Sequence, residues 1–139
     1  LQSHSHDSGD ACPVSVGLEH TGLDGCSLGG YVAVEVFLRK PELFGTLGGV
    51  QAAFNVPAAQ RYAERIAKAV KAVGRRQIHI ETSSEDPFRK ANEAWAKALA
   101  KRGVDHELAV FPGPHNQPWL REIGTLNMLH WHERRLAKR

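Results

Sequence analysis

Gly22-Leu23-Asp24-Gly25-Cys26-Ser27-Leu28-Gly29-Gly30 is the stretch on which the reading of this chain turns. It holds Gly25-x-Ser27-x-Gly29, with a short apolar run before it and Tyr31-Val32-Ala33-Val34-Glu35-Val36-Phe37-Leu38-Arg39 after it. Strand, sharp turn, helix is the setting in which G-x-S-x-G lifts a serine to the tip of a strained turn. The two motif glycines are expected where a Cβ would strike the adjoining strand or helix. The helix begins beside the serine, so the Leu28 N–H points back at it as one oxyanion donor, at the positive end of the helix dipole.

A serine hydroxyl is a weak nucleophile at its free pKa. It needs a general base, and the base needs a carboxylate to orient it. Ile78-His79-Ile80-Glu81-Thr82 reads as a strand whose exit loop, Ser83-Ser84-Glu85-Asp86-Pro87, carries Asp86. Leu108-Ala109-Val110-Phe111 reads as another, and its exit loop Pro112-Gly113-Pro114-His115-Asn116 carries His115. Both lie just past the carboxyl end of a strand, where open parallel sheets place their sites. Asp86 also suits the N-cap of the helix after it, and Glu85 and Glu81 are fallback acids. Twenty-nine residues separate Asp86 from His115, room for one helix and one strand between acid and base.

Gly25-Cys26-Ser27-Leu28-Gly29-Gly30, Ser84-Glu85-Asp86-Pro87 and Pro112-Gly113-Pro114-His115-Asn116-Gln117-Pro118-Trp119 together resemble the α/β-hydrolase superfamily, most of all its esterases of the esterase D type. The resemblance implies serine-dependent hydrolysis of carboxylic esters, with Ser27 as nucleophile, His115 as base, Asp86 as orienting acid and Leu28 as an oxyanion donor. It implies a small-molecule ester substrate, no cofactor and no metal. It covers roughly residues 20 to 135, and only the second half of that fold: the family's early strands, and the loop supplying a second oxyanion donor, normally precede the elbow strand.

The remaining sequence sets bounds. The chain has 139 residues, 42% hydrophobic and 24% charged, the composition of an ordinary globular domain. No apolar run is long enough to span a membrane, and the polar, acidic opening is no secretory leader. The compartment is left open, with the cytoplasm favoured, and Leu1 in place of methionine suggests a cut or processed chain. The net charge of +3 gathers at Arg134, Arg135, Lys138 and Arg139, without the basic face and interleaved aromatics of a nucleic-acid binder. Cys12 and Cys26 are read as free thiols.

The organisation expected is a lead-in over residues 1–13 and an α/β domain over 14–139. The lead-in's His4, His6, Asp7 and Asp10 read as a polar tail, and Val14 to Leu18 as a weak strand. The fold class is a three-layer α/β/α sandwich with about four parallel strands, near 20–24, 45–51, 77–82 and 106–111. Helices are expected near 29–40, with Val32, Ala33, Val34, Val36 and Leu38 buried, and near 58–73, with Tyr62, Ile66, Ala69 and Val70 inward. A third runs from Pro87 to about Arg102, with Phe88, Ala91, Trp95, Ala98 and Leu99 on one face. The last is packed by Trp119, Leu120, Ile123, Leu126, Leu129 and Trp131. His130, His132 and Glu133 on that helix do not form a metal site, because i and i+2 diverge. Gln51 is expected on a surface loop, with a contact to the pocket as the alternative.

Where the family resembled has another strand beside it, the elbow strand here is an exposed edge that invites pairing with another chain, so the expectation is association into a homo-oligomer through that edge, or a chain that is one piece of a longer or cleaved enzyme. Two rival readings remain. One is a truncated or relic hydrolase serving as an interaction module. The other is a flavodoxin-type domain holding an anion at Gly25 to Gly30.

Overall fold

The structure is a computed structural model that describes residues 17–136. The lead-in, Cys12, most of the strand expected at 14–18 and the last three residues therefore lie outside the described residues. Of that expected strand, Leu18 belongs to a short 3-10 turn, Leu18–His20.

Four strands form one parallel sheet in sequence order: β1 (Gly22–Leu23), β2 (Thr46–Val50), β3 (Gln77–Ser83) and β4 (His106–Phe111). Helix α1 (Leu28–Arg39) joins β1 to β2, α2 (Val56–Val73) joins β2 to β3, and α3 (Arg89–Lys101) joins β3 to β4. Right-handed crossovers that all step the same way lay their helices on one face. The chain then crosses to the opposite face through α4 (Gln117–Trp119), a π-helical turn over Leu120–Gly124 and α5 (Thr125–Arg135).

Strand alternation sorts the side chains between the two faces. Leu47, Ile78 and Ile80 join Ala33, Val34, Phe37, Tyr62, Ile66, Trp95 and Leu99 in the main core under α1 to α3. Phe54 meets Trp95 edge-on with ring centroids 5.3 Å apart. The other face has a small apolar cluster, Val50, Trp119 and Leu120.

Helix boundaries follow local chemistry. Asn55 caps α2 by accepting from the Ala58 N–H, with Pro57 in the first turn where its missing N–H costs little. α3 starts at Arg89, two residues after Pro87, because Pro87 and Phe88 form a separate turn.

Two expected faces are corrected. On α1 the buried residues are Ala33, Val34 and Phe37, while Val32 and Val36 are exposed beside Leu28. On the last helix Trp119, Leu120 and Trp131 are buried, but Ile123, Leu126 and Leu129 face outward. The π-helical turn explains the second: its wider repeat rotates every later residue relative to an unbroken α-helix. No helix among the described residues is long and apolar enough to cross a membrane.

Candidate active site

The turn after β1 is held from several sides. Cys26 makes an isolated parallel bridge to Val50. The Ser27 N–H donates to the Val50 carbonyl at 2.8 Å, and the Ser27 carbonyl accepts from Gly30 and Ala53. Between these anchors Ser27 adopts φ 56°, ψ −119°, a conformation that costs a non-glycine residue about 1–3 kcal/mol and persists only where the surroundings impose it.

The glycines do not divide the work as the motif suggests. A Cβ on Gly25 would lie 2.1 Å from the Gly29 carbonyl oxygen, and one on Gly30 would lie 2.8 Å from the Ala52 Cβ. A Cβ on Gly29 would meet nothing within 4 Å. The tight positions are therefore Gly25 and Gly30, because α1 leans on the backbone after β2 through Gly30.

The structure brings Ser27, His115 and Asp86 into one line. Ser27 Oγ lies 2.8 Å from His115 Nε2, and His115 Nδ1 lies 2.8 Å from Asp86 Oδ1. An ionised carboxylate only accepts, so Nδ1–H donates to Asp86, and Nε2 is left to accept from the serine hydroxyl. Asp86 is buried and further fixed: Oδ1 accepts from the Phe88 N–H and Oδ2 from the Thr82 hydroxyl. It thus makes a local turn ahead of α3 rather than capping it. Leu28 opens α1, so its N–H belongs to the first turn, which has no intrahelical acceptor. Its side chain is 65% exposed.

The two loops that bring acid and base together are sewn to one another. Ser84 N–H donates to Phe111 O and Glu85 N–H to Gly113 O, while the Ser84 hydroxyl accepts from the Gly113 N–H. Gly113 has φ 133° and carries Trp119 against it, where an added Cβ would lie 2.4 Å from the indole. Trp119 Nε1–H donates to Pro112 O, and the Asn116 side chain caps the turn by accepting from Trp119 N–H. Phe88 packs edge-on against the His115 ring, centroids 5.6 Å apart.

Gln51 departs from expectation. It is fully buried, with φ 51°, and its Nε2 donates to Ser83 Oγ at 2.7 Å and to the Pro114 carbonyl at 3.0 Å. It ties the end of β2 to the histidine loop one residue before His115. A lone Gln after a glycine-rich strand gave no sequence signal for this; the link spans 63 residues and exists only once β2, β3 and the loop have assembled.

Beneath this end of the sheet, on the α5 face, lies a second polar group. Asp24 Oδ2 sits 2.9 Å from His79 Nδ1 and 2.8 Å from His132 Nε2, and Asp24 Oδ1 accepts from the Gly25 N–H. Thr46 Oγ1 lies 2.8 Å from His132 Nδ1. Burial lowers the His79 pKa, but the Asp24 hydrogen bond and the Glu81 carboxylate outweigh it and hold the ring at about 9. Glu81 lies 3.2 Å from His79 Nε2, yet neither of its oxygens has a well-formed hydrogen bond. The charge contact is close but badly angled, and burial pushes the Glu81 pKa up. Glu81 thus points to this cluster and not to His115. Cys26 is a half-buried free thiol whose pKa burial raises.

No family model matches the chain, and no curated protein matches it by sequence. Solved structures match it by fold. A ferulic acid esterase superposes with a TM-score of 0.73 at 15% identity, covering 87% of this chain and 54% of that one. The S-formylglutathione hydrolase FrmB of Staphylococcus aureus gives 0.73 at 17%, covering 89% and 55%. Esterase B of Lactobacillus rhamnosis gives 0.58 at 18%, covering 84% and 53%. The chain has part of the α/β-hydrolase fold, and it spans about half the length of the solved structures it matches.

Proposed function

We propose that this chain carries the nucleophile, base and acid of a serine esterase. The observation that supports it most is the unbroken contact from Ser27 Oγ through His115 to buried Asp86, with the serine held at positive φ. Ser27 Oγ attacks the acyl carbonyl while His115 Nε2 takes its proton. The tetrahedral oxyanion forms against the Leu28 N–H. Its collapse expels the alcohol, which receives the proton from His115, and leaves an acyl-Ser27 ester. Water, deprotonated by His115, then cleaves that ester. Asp86 keeps the imidazole in the tautomer that offers Nε2 to the serine and stabilises the imidazolium.

A second oxyanion donor belongs, on this reading, to the half of the fold that the chain does not span; one such donor is worth about 10²–10³ in rate. The exposed apolar stripe of Leu28, Val32 and Val36 on α1, together with the two-residue edge strand β1, supports association with another chain at this edge. The half-length coverage also favours one rival, an inactive hydrolase fragment working as an interaction module.

The intact mass after exposure to a fluorophosphonate separates the two. The esterase reading expects one adduct on the parent, none on Ser27→Ala, and labelling slowed on the order of 10⁴-fold in His115→Ala. A folded parent that takes no adduct overturns it in favour of the inactive fragment.

A further inference from the structure

The esterase chemistry has no use for the polar group buried under α5. We propose that Asp24, His79 and His132 form a binding site for a divalent transition metal of the zinc type, which pins α5 to the sheet. The three come from the end of β1, the middle of β3 and the last turns of α5, and their nearest ligand atoms all lie within 4.8 Å of one another. Two imidazole nitrogens and one carboxylate oxygen, with a fourth position left for water, are a donor set suited to Zn²⁺.

Each ring has an outer partner within reach. A metal-bound imidazole donates its other N–H to an acceptor that fixes ring and tautomer. His79, binding through Nδ1, keeps Nε2–H facing the Glu81 carboxylate at 3.2 Å. His132, binding through Nε2, keeps Nδ1–H facing the Thr46 hydroxyl at 2.8 Å. Asp24 binds through Oδ2 while Oδ1 stays on the Gly25 N–H.

Glu81 is compatible with the same site. It is fully buried, and neither of its oxygens has a hydrogen-bond partner. The His79 ring at 3.2 Å is the charged group that faces it, and a dication bound to that ring through Nδ1 keeps positive charge directed at the carboxylate. A cavity of about 380 Å³ between β3, β4 and α5 has His79 and Glu81 in its wall and so reaches one of the three donors. An ion held about 2.0–2.1 Å from each donor in tetrahedral geometry needs them roughly 3.3 Å apart. The two Asp24 contacts, at 2.9 and 2.8 Å, therefore open by about half an ångström when the ion replaces the protons between them.

The test strips the chain with a chelator, then titrates it with Zn²⁺ and separately with Co²⁺. Binding is followed by calorimetry, by the visible Co²⁺ spectrum and by thermal unfolding. Expected are one tightly bound equivalent, a tetrahedral Co²⁺ band, and a rise in Tm of about 5–10 °C at a hundredfold excess over Kd. Asp24→Asn and His132→Gln lose the band. Thr46→Val, which removes only an outer partner, weakens binding about 10–100-fold and keeps the proposal open to refutation if the ligand variants fail to fold. His4→Ala/His6→Ala, in the N-terminal tail, leaves binding unchanged. No tight equivalent in the parent, or binding that Thr46→Val and the ligand variants leave intact, or binding abolished by the tail variant, each overturns the proposal and leaves the cluster as a proton-bridged pair.

Discussion

The two faces of the sheet are built on opposite physics. Under α1 to α3, β2 and β3 present Leu47, Ile78 and Ile80 to a continuous apolar core closed by Phe37, Trp95 and Leu99. Under α5 the same strands present Thr46, His79 and Glu81, and the contact is made mainly by charged and hydrogen-bonded groups. One residue of strand register separates the two, since Ile78, His79, Ile80 and Glu81 alternate faces. The apolar face draws its stability from area removed from water, which tolerates small rearrangements. The polar face stabilises only while every partner stays in place, because a buried charge that loses its partner costs more than the pair contributed. The candidate catalytic loops sit over the boundary: β1 and β3 feed both the Ser27–Asp86 side and the Asp24–His79 side.

The largest effect expected from this contrast is on the apolar face. Trp95→Ala removes a fully buried indole and should cost about 3–5 kcal/mol in denaturant unfolding. Asp24→Ala, measured in chelator so that no metal contributes, should cost about 3 kcal/mol, since it strands the donors of His79 and His132 in a buried site. The contrast sharpens with the pairwise terms: Asp24→Ala and His132→Ala should be strongly non-additive. Trp95→Ala and His132→Ala, on opposite faces without a shared partner, should add within about 0.5 kcal/mol. Additivity in the first pair would mean that the polar face is not a network.

A smaller pair of substitutions tests the turn that joins the faces. Gly30→Ala should destabilise by about 1–3 kcal/mol, because its Cβ would press on Ala52. Gly29→Ala meets open space in the first turn of α1, and it should be neutral or stabilise by up to about 1 kcal/mol. Thermal unfolding of the two variants checks the ordering, and the reverse order would mean that α1 does not lean on the backbone after β2 as described.

How far the sequence carried this reading depended on whether the relevant contacts were local. The four strands and the first three helices were readable because their apolar periods and their Gly and Pro stops lie within single elements. Asp86 and His115 could be picked out because strand-exit loops are local signals, and the structure sets both in line with Ser27. Gln51 was not readable, since its role depends on Pro114 arriving beside it. His132 was read only against His130 and Glu133 on its own helix; its partners, Asp24 and His79, lie 108 and 53 positions away in sequence. The outward turn of Ile123, Leu126 and Leu129 was missed because a π-helical turn changes the phase without a distinctive residue to announce it.

The smallest prediction asks whether the apolar half is also insensitive to pH. An ion-linked feature beside this core is Glu35 on α1, which accepts a hydrogen bond from Tyr62 on α2 and pairs with Arg39. The Tyr62 hydroxyl, then Arg39, hold the Glu35 carboxyl below its ordinary value of 4.5. A carboxylate whose folded pKa is lowered stabilises the fold at neutral pH, above its unfolded value, and that contribution disappears as pH falls through the folded value. Tyr62→Phe should therefore cost about 1 kcal/mol at pH 7, and the gap to the parent should narrow in acid as pH falls through the lowered folded value of Glu35. Denaturant midpoints at pH 7 and at a series of acid pH values, down to the lowest at which both proteins still fold, measure it. A gap that stays constant across the whole acid series would mean that Tyr62 acts through packing against Phe54 and Tyr31, whose rings lie 5.5 and 6.2 Å from that of Tyr62, and that the apolar face stands without any help from charge.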